Sequence, residues 1–190
     1  MKKWILSVSV FFVAAGIVHA AHIWDDPSAW WSGHLSYDEN TPKFTAQEFS
    51  LDLFGSYINP EGEFHEVFEH NIRHGYWGGG VGANYFITRE LGVGADFNMS
   101  DKEGARLVDD VVGSVMLRFP IESIGLAPYL IGSGGRAISP IYQWTYGCGV
   151  GLDLRFNPTT GIFSDARYFF GDQGTIYNRL LIRMGLRLIF

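Results

Sequence analysis

The side chains with the most chemical potential in this 190-residue sequence fall into three groups. The densest is His65, Glu66, Glu69, His70 and His74. His70 and His74 stand four apart, so on a helical turn they share a face and could grip a transition metal. The zinc-protease pattern is not met, because His65-Glu66-Val67-Phe68 is followed by Glu69 where a second His is required. A solvated His and Glu loop is the expected role, and no metal or cofactor is assigned. The second group is Asp52, Asp96, Asp110, Asp153 and Asp165 with Arg118, Arg155, Arg167, Arg183 and Arg187, two sets that could form ion pairs. The third is nucleophiles. Cys148 is the single Cys, which excludes an intramolecular disulfide, and it sits on the apolar side of an alternating stretch, where a small buried or lipid-facing residue is expected. No His follows His74, so Ser139 and Ser164 have no nearby imidazole as base. Ser56 with His74 and Glu69 is the one Ser, His and acid combination that can be assembled, and it has no supporting motif. Gly78-Gly79-Gly80 and Gly132-Ser133-Gly134-Gly135 lack the Lys-Ser/Thr of a phosphate loop and read as close packing.

What must position these groups is a series of eight segments in which every second residue is apolar, the period of a strand with differently solvated faces. The first sets Phe49, Leu51, Leu53 and Tyr57 against Ser50, Asp52, Phe54 and Ser56. The second sets Trp77, Val81, Ala83, Tyr85 and Ile87 against Gly78, Gly80, Gly82, Asn84 and Phe86. Leu91 to Met99 and Val111 to Phe119 follow, the latter with Asp110, Ser114, Met116 and Arg118 on its other face. A fifth, Leu126 to Gly134, is interrupted by Pro128. In the sixth, Tyr146, Cys148, Val150, Leu152, Leu154 and Phe156 alternate with glycines, Asp153 and Arg155. The seventh opposes Ile162, Ala166, Tyr168 and Phe170 to Phe163, Asp165 and Arg167. The eighth opposes Leu180, Ile182, Met184, Leu186, Leu188 and Phe190 to Arg179, Leu181, Arg183, Gly185, Arg187 and Ile189. Short joins at Thr88 to Glu90, Pro120 to Gly125 and Asn157 to Gly161 alternate with longer ones at Asn59 to His74, Ser100 to Arg106, Arg136 to Thr145 and Gly171 to Tyr177. The expected fold is all-β: an eight-stranded antiparallel up-and-down transmembrane β-barrel, its strands of roughly 9 to 11 residues long enough to cross a bilayer.

Three features put the apolar face outward, in lipid, rather than around a ligand as in a soluble barrel. The other face carries Asp and Arg but no Lys, a pairing suited to confined, fork-matched contacts. It is rich in Gly, which makes room in a narrow lumen. Aromatic residues recur near strand ends on the apolar face, among them Tyr57, Trp77, Tyr85, Phe119, Tyr146, Phe156 and Phe170, as interfacial girdles require. A lumen of eight strands is just wide enough for side chains to fill. The ten charges therefore read as a plug that holds the barrel together, with a narrow polar pathway for small solutes as the alternative.

Composition sets the compartment. Met1-Lys2-Lys3, the apolar run Trp4 to Val18 and Val18-His19-Ala20 form a signal peptide over residues 1–20, cut near Ala20 after Sec export. Residues 21–44, with Trp24, Trp30 and Trp31, read as an N-terminal periplasmic arm, and 45–190 as the barrel. The formal net charge of −6 falls to about −8 without Lys2 and Lys3, so nucleic acid is not an expected partner. The same acidity makes divalent cations the expected bridge to an anionic outer leaflet. A charged content of 18% with 16% aromatic residues and 24 Gly is too apolar for disorder.

From about Phe44 to Phe190 the chain resembles the small eight-stranded outer-membrane β-barrel family of the OmpA membrane-domain and OmpX type. The stretch Ile182, Met184, Leu186, Leu188 and Phe190 matches the terminal-strand pattern of that family, a final Phe with apolar residues at every second position before it. The resemblance implies a bacterial outer-membrane location, delivery by the barrel-assembly machinery reading that strand, and contact with outer-membrane lipid or lipopolysaccharide. A monomer with no enzymatic activity is expected, serving envelope integrity or adhesion-like surface contact. Some barrels of this kind deacylate lipid A with a His and Ser on late strands, and this sequence lacks that His. A cell-wall tether of the OmpA kind is not expected either.

Overall fold

A computed structural model describes residues 42–60, 75–100, 108–138, 142–172 and 178–190. They form strands β1 (Glu48–Pro60), β2 (Tyr76–Phe86), β3 (Leu91–Ser100), β4 (Asp110–Arg118), β5 (Leu126–Ala137), β6 (Gln143–Asn157), β7 (Thr160–Gly171) and β8 (Arg179–Ile189). Each strand pairs antiparallel with its sequence neighbours, and β1 closes on β8 from Ser50↔Ile189 to Pro60↔Arg179. Closure leaves no strand with a free row of backbone donors and acceptors, the one way a sheet can satisfy its backbone in hydrocarbon. The expected barrel is what the chain forms. The leader, the arm up to Thr41 and the cluster His65, Glu66, Glu69, His70 and His74 lie outside the described residues.

The largest departure from the expected bounds is between β5 and β6. β5 runs through Pro128 to Ala137, and β6 starts at Gln143, so Arg136, Ala137, Gln143, Trp144 and Thr145 belong to strands rather than to a long connection. Gly132, Ser133, Gly134 and Gly135 offer no apolar alternation to carry the strand on to Arg136 and Ala137, and earlier in β5 both faces are apolar: Ala127, Tyr129 and Ile131 are buried while Leu130 is exposed. The short joins are tight. Thr88 Oγ1 accepts from the amides of Glu90 and Leu91 at 3.2 and 3.0 Å, and a 3₁₀ turn (Glu122–Ile124) ends on Gly125 at φ 65°, a left-handed conformation that glycine adopts freely.

Burial follows the two-residue period and inverts the pattern of a soluble protein. On β8, Ile182, Met184, Leu186 and Leu188 are exposed, whereas Arg183 and Arg187 are 2% and 1% exposed. β6 exposes Trp144, Tyr146, Val150, Leu152 and Phe156 and buries Asp153 and Arg155. An exterior this continuous in apolar side chains is compatible with lipid and not with water. Aromatic residues gather on the outer wall toward the end of the long connections: Tyr57 packs on Trp77 with ring centroids 5.1 Å apart, and Tyr146 stacks on Phe170 at 5.7 Å. Inside, small residues make space for large ones. Phe54 is flanked across the ladder by Gly80 and Gly185, and a β-carbon on Gly80 would meet the Phe54 ring at 2.7 Å.

Candidate functional site

The lumen is where the chemistry collects. Because alternate residues of all eight strands point inward, the polar set of each strand is stacked in layers along the barrel axis. Eleven ion pairs link six Arg to six carboxylates there, every one of them buried.

These pairs divide into three clusters, each with as many Arg as carboxylates; beside the third, the carboxylate of Asp109 is buried and makes no ion pair among the described residues. Nearest the short joins, Arg118, Arg155 and Arg187 meet Glu48, Asp153 and Asp52. Arg118 grips Glu48 with both terminal nitrogens at 3.0 and 3.1 Å, and its Nε donates to the Arg89 carbonyl at 2.6 Å. Arg155 donates to Glu48 at 2.6 Å and to both oxygens of Asp153. Arg187 forks onto Asp52 at 2.8 and 2.7 Å and reaches Asp153 at 2.8 Å. In the middle, Arg183 forks onto Asp165 at 3.0 and 2.7 Å and faces Asp96 at 2.8 Å. Arg167 bridges the same two carboxylates, contacting Asp96 at 2.7 Å and Asp165 at 3.2 Å, while Tyr129 donates to Asp165 at 3.0 Å. Toward the long connections, Arg179 pairs with Asp110 at 2.8 Å. Matched numbers within each cluster matter because a buried charge without a partner costs several kcal/mol, whereas a forked, hydrogen-bonded pair returns most of its desolvation cost.

Apolar and aromatic groups separate the clusters. Phe163 lies beneath the guanidiniums of Arg187 and Arg183 at 4.9 and 5.5 Å, and Phe54 faces Arg183 at 4.5 Å. Phe86, Met116, Tyr129 and Ile131 fill the β4–β5 side between Arg118 and the middle layer. Ile58, Val112, Phe169 and Leu181 form a second apolar layer between Arg183 and the Arg179–Asp110 pair. At the short-join mouth, Phe44 is 1% exposed between Arg118 and Arg155, at 5.1 and 4.7 Å from their guanidinium carbons. The carbonyls of Lys43 and Thr45 accept from these two arginines, and the Lys43 amide donates to Glu122 at 2.9 Å. The residues just before β1 thus close that mouth.

All ten charges singled out in the sequence lie inside the lumen. The ten charges expected in the lumen omit Glu48, Asp109 and Arg179, although Arg179 already stands on the inward face of the eighth segment. Glu48 continues the series Ser50, Asp52, Phe54 and Ser56 backward by one step, and Arg179 stands two before Leu181, so the same alternation reaches both. Asp109 precedes β4 and is bonded to the Ser100 hydroxyl. Phe44 carried no periodic signal. Among the described residues there is no His, and no group of three or more His, Cys, Asp or Glu could hold a metal ion. Cys148 is exposed on the outer wall, and the terminal series Ile182, Met184, Leu186 and Leu188 lies on that wall as well.

No family profile and no curated protein sequence matches the chain. Solved structures do. The N-terminal β-barrel domain of Pseudomonas aeruginosa OprF is similar at a TM-score of 0.54 and 13% identity, covering 77% of this chain and 99% of that one. Neisserial surface protein A is similar at 0.53 and 12% identity, covering 74% of this chain and 96% of that one. A designed transmembrane β-barrel gives 0.50 with 12% identity, covering 76% and 97%. With eight strands closed in sequence order, an apolar outer wall, a charged lumen and this likeness, the chain has the fold of the small eight-stranded outer-membrane β-barrels.

Proposed function

We propose that this chain is a sealed structural barrel of the bacterial outer membrane, serving envelope integrity and carrying its longer connections as surface-contact elements. It reaches the membrane by Sec export and the barrel-assembly machinery, and it contacts outer-membrane lipid. The observation that carries the reading is the filled lumen: three ion-pair clusters separated by apolar layers, with Phe44 across one mouth. A conducting pore needs a continuous wet path and charges free to exchange with a passing ion. Here the guanidiniums are held by fixed carboxylates and the apolar layers interrupt the polar path. A role without chemistry of its own also fits the outward Cys148 and described strands without His.

Two assays test it. Liposomes containing the refolded protein should swell in small sugars no faster than protein-free liposomes. Cells deleted for the chain should become more sensitive to detergent, and expression of the intact chain should restore resistance. Rapid swelling would favour the narrow-pore alternative. Unchanged sensitivity would remove the integrity role.

A further inference from the structure

One arginine is on the wrong side of the wall. Arg118, Arg155, Arg167, Arg179, Arg183 and Arg187 all point into the lumen and pair with carboxylates. Arg136 is the exception among the arginines of the described strands. It follows Leu130, Gly132 and Gly134 on the outward period of β5, one step from its end at the long connections. Among the described residues it makes no ion pair. Its guanidinium lies 3.7 Å over the Tyr142 ring and 5.1 Å from that of Trp144, both exposed, and its Nε is shielded from solvent with no hydrogen-bond partner among the described residues.

The wall below this cation is hollow. A methyl group on Gly132 or Gly134 would touch nothing within 4 Å, and one on Gly113, the ladder partner of Gly134, would come no nearer than 3.7 Å to another atom. The hollow continues into a groove of about 560 Å³ lined by Val115, Leu117, Leu130, Gly132, Cys148 and Val150. From Arg136 to Gly132 along the strand is roughly 13 Å, the reach of much of an acyl chain.

A cation at the rim of a lipid-facing wall, held flat by two aromatic rings above an apolar trough, has the charge pattern of an anionic amphiphile in reverse. We propose that the β4–β6 wall binds a phosphorylated lipid of the outer leaflet, its phosphate on Arg136 and an acyl chain in the trough over Gly134 and Gly132. This site rests on the membrane-barrel reading above and assigns it a lipid class and a position. The aromatic rings fix the guanidinium plane, and a phosphate accepts from two of its nitrogens at once.

The test uses the full chain refolded into phosphatidylcholine vesicles with trace spin-labelled phosphatidic acid or spin-labelled phosphatidylcholine. Electron paramagnetic resonance reads the protein-restricted fraction of each. Wild type should prefer phosphatidic acid by up to about tenfold, the factor one charge-assisted contact can supply. In Arg136→Gln that preference should fall to unity. In Gly134→Leu, an outward change with open space around it, it should fall while the charge remains. Both variants should keep a heat-modifiable gel shift. Unchanged preference in Arg136→Gln overturns the site, as does loss of preference on adding millimolar inorganic phosphate, which would mark a site for the free ion. A wild-type chain with no gel shift overturns the barrel reading and the site together, whereas a shift without lipid preference overturns the site alone.

Discussion

Asp165 is the carboxylate on which the middle layer turns, and its replacement by Asn isolates the value of charge neutrality. It accepts from Arg183 at 3.0 and 2.7 Å, from Arg167 at 3.2 and 3.3 Å, and from Tyr129 at 3.0 Å. Asn keeps the shape, loses the charge and presents an NH₂ to guanidinium nitrogens that can only donate. Asp96 is then left to serve both Arg167 and Arg183, and a layer that is neutral in the wild type carries one uncompensated positive charge. Removing one partner of a buried pair costs about 3–5 kcal/mol, a large share of the roughly 5–15 kcal/mol that holds a domain folded. Adding Arg183→Met restores neutrality, with Arg167 still 2.7 Å from Asp96. Replacing a buried pair by neutral groups is often close to neutral in energy. The double variant should therefore recover most of the loss. Urea titration of the refolded protein in detergent, followed by tryptophan fluorescence and gel mobility, measures all three chains. A single variant within about 0.5 kcal/mol of wild type, or a double variant no more stable than the single, refutes the reasoning; the threshold is the usual size of a surface substitution.

Three further outcomes are expected. Gly80→Ala pushes a methyl into the Phe54 ring and the Phe97 carbonyl and should destabilise by about 1–3 kcal/mol, whereas Gly132→Ala should be neutral because nothing lies within 4 Å; thermal gel-shift midpoints compare them. Cys148 should stay unlabelled by a charged maleimide in vesicles and react fully in urea, since it lies on the outer wall and a charged reagent does not enter the hydrocarbon that covers that wall; rapid labelling in vesicles would put β6 in water. Phe190→Ala should lower the amount of chain reaching the outer membrane in cells while leaving detergent refolding in place, a difference read by fractionation and by gel mobility.

Alternation carried most of the fold because each inward or outward step repeats along all eight strands. Asp52, Arg183 and Arg187 sit on the polar face of well-alternating segments, and their confinement follows from face and barrel width alone. The pairing does not. Arg187 joins Asp52 on a neighbouring strand and also Asp153 on β6, beyond the intervening β7, a choice set by shear and side-chain reach that a strand pattern does not contain. The three ion-paired clusters emerge only when register is known. The expected β5 ends at Gly134 because Gly132, Ser133, Gly134 and Gly135 carry no apolar side chain, so no face contrast leads on to Arg136 and Ala137. Phe44 precedes the first strand, and its place between Arg118 and Arg155 depends on a chain reversal marked by Gln47 at φ 57°. Arg136, expected in a connection, is part of β5 and stands on its outward period.

Single-molecule conductance in planar bilayers tests the sealed lumen most directly. The refolded wild type, confirmed as a barrel by its heat-modifiable mobility, should pass no steady current in potassium chloride. A stable open level in individual molecules, present without urea or mutation, would contradict the account, because ions would then be crossing layers in which every described arginine of the lumen is held by a carboxylate.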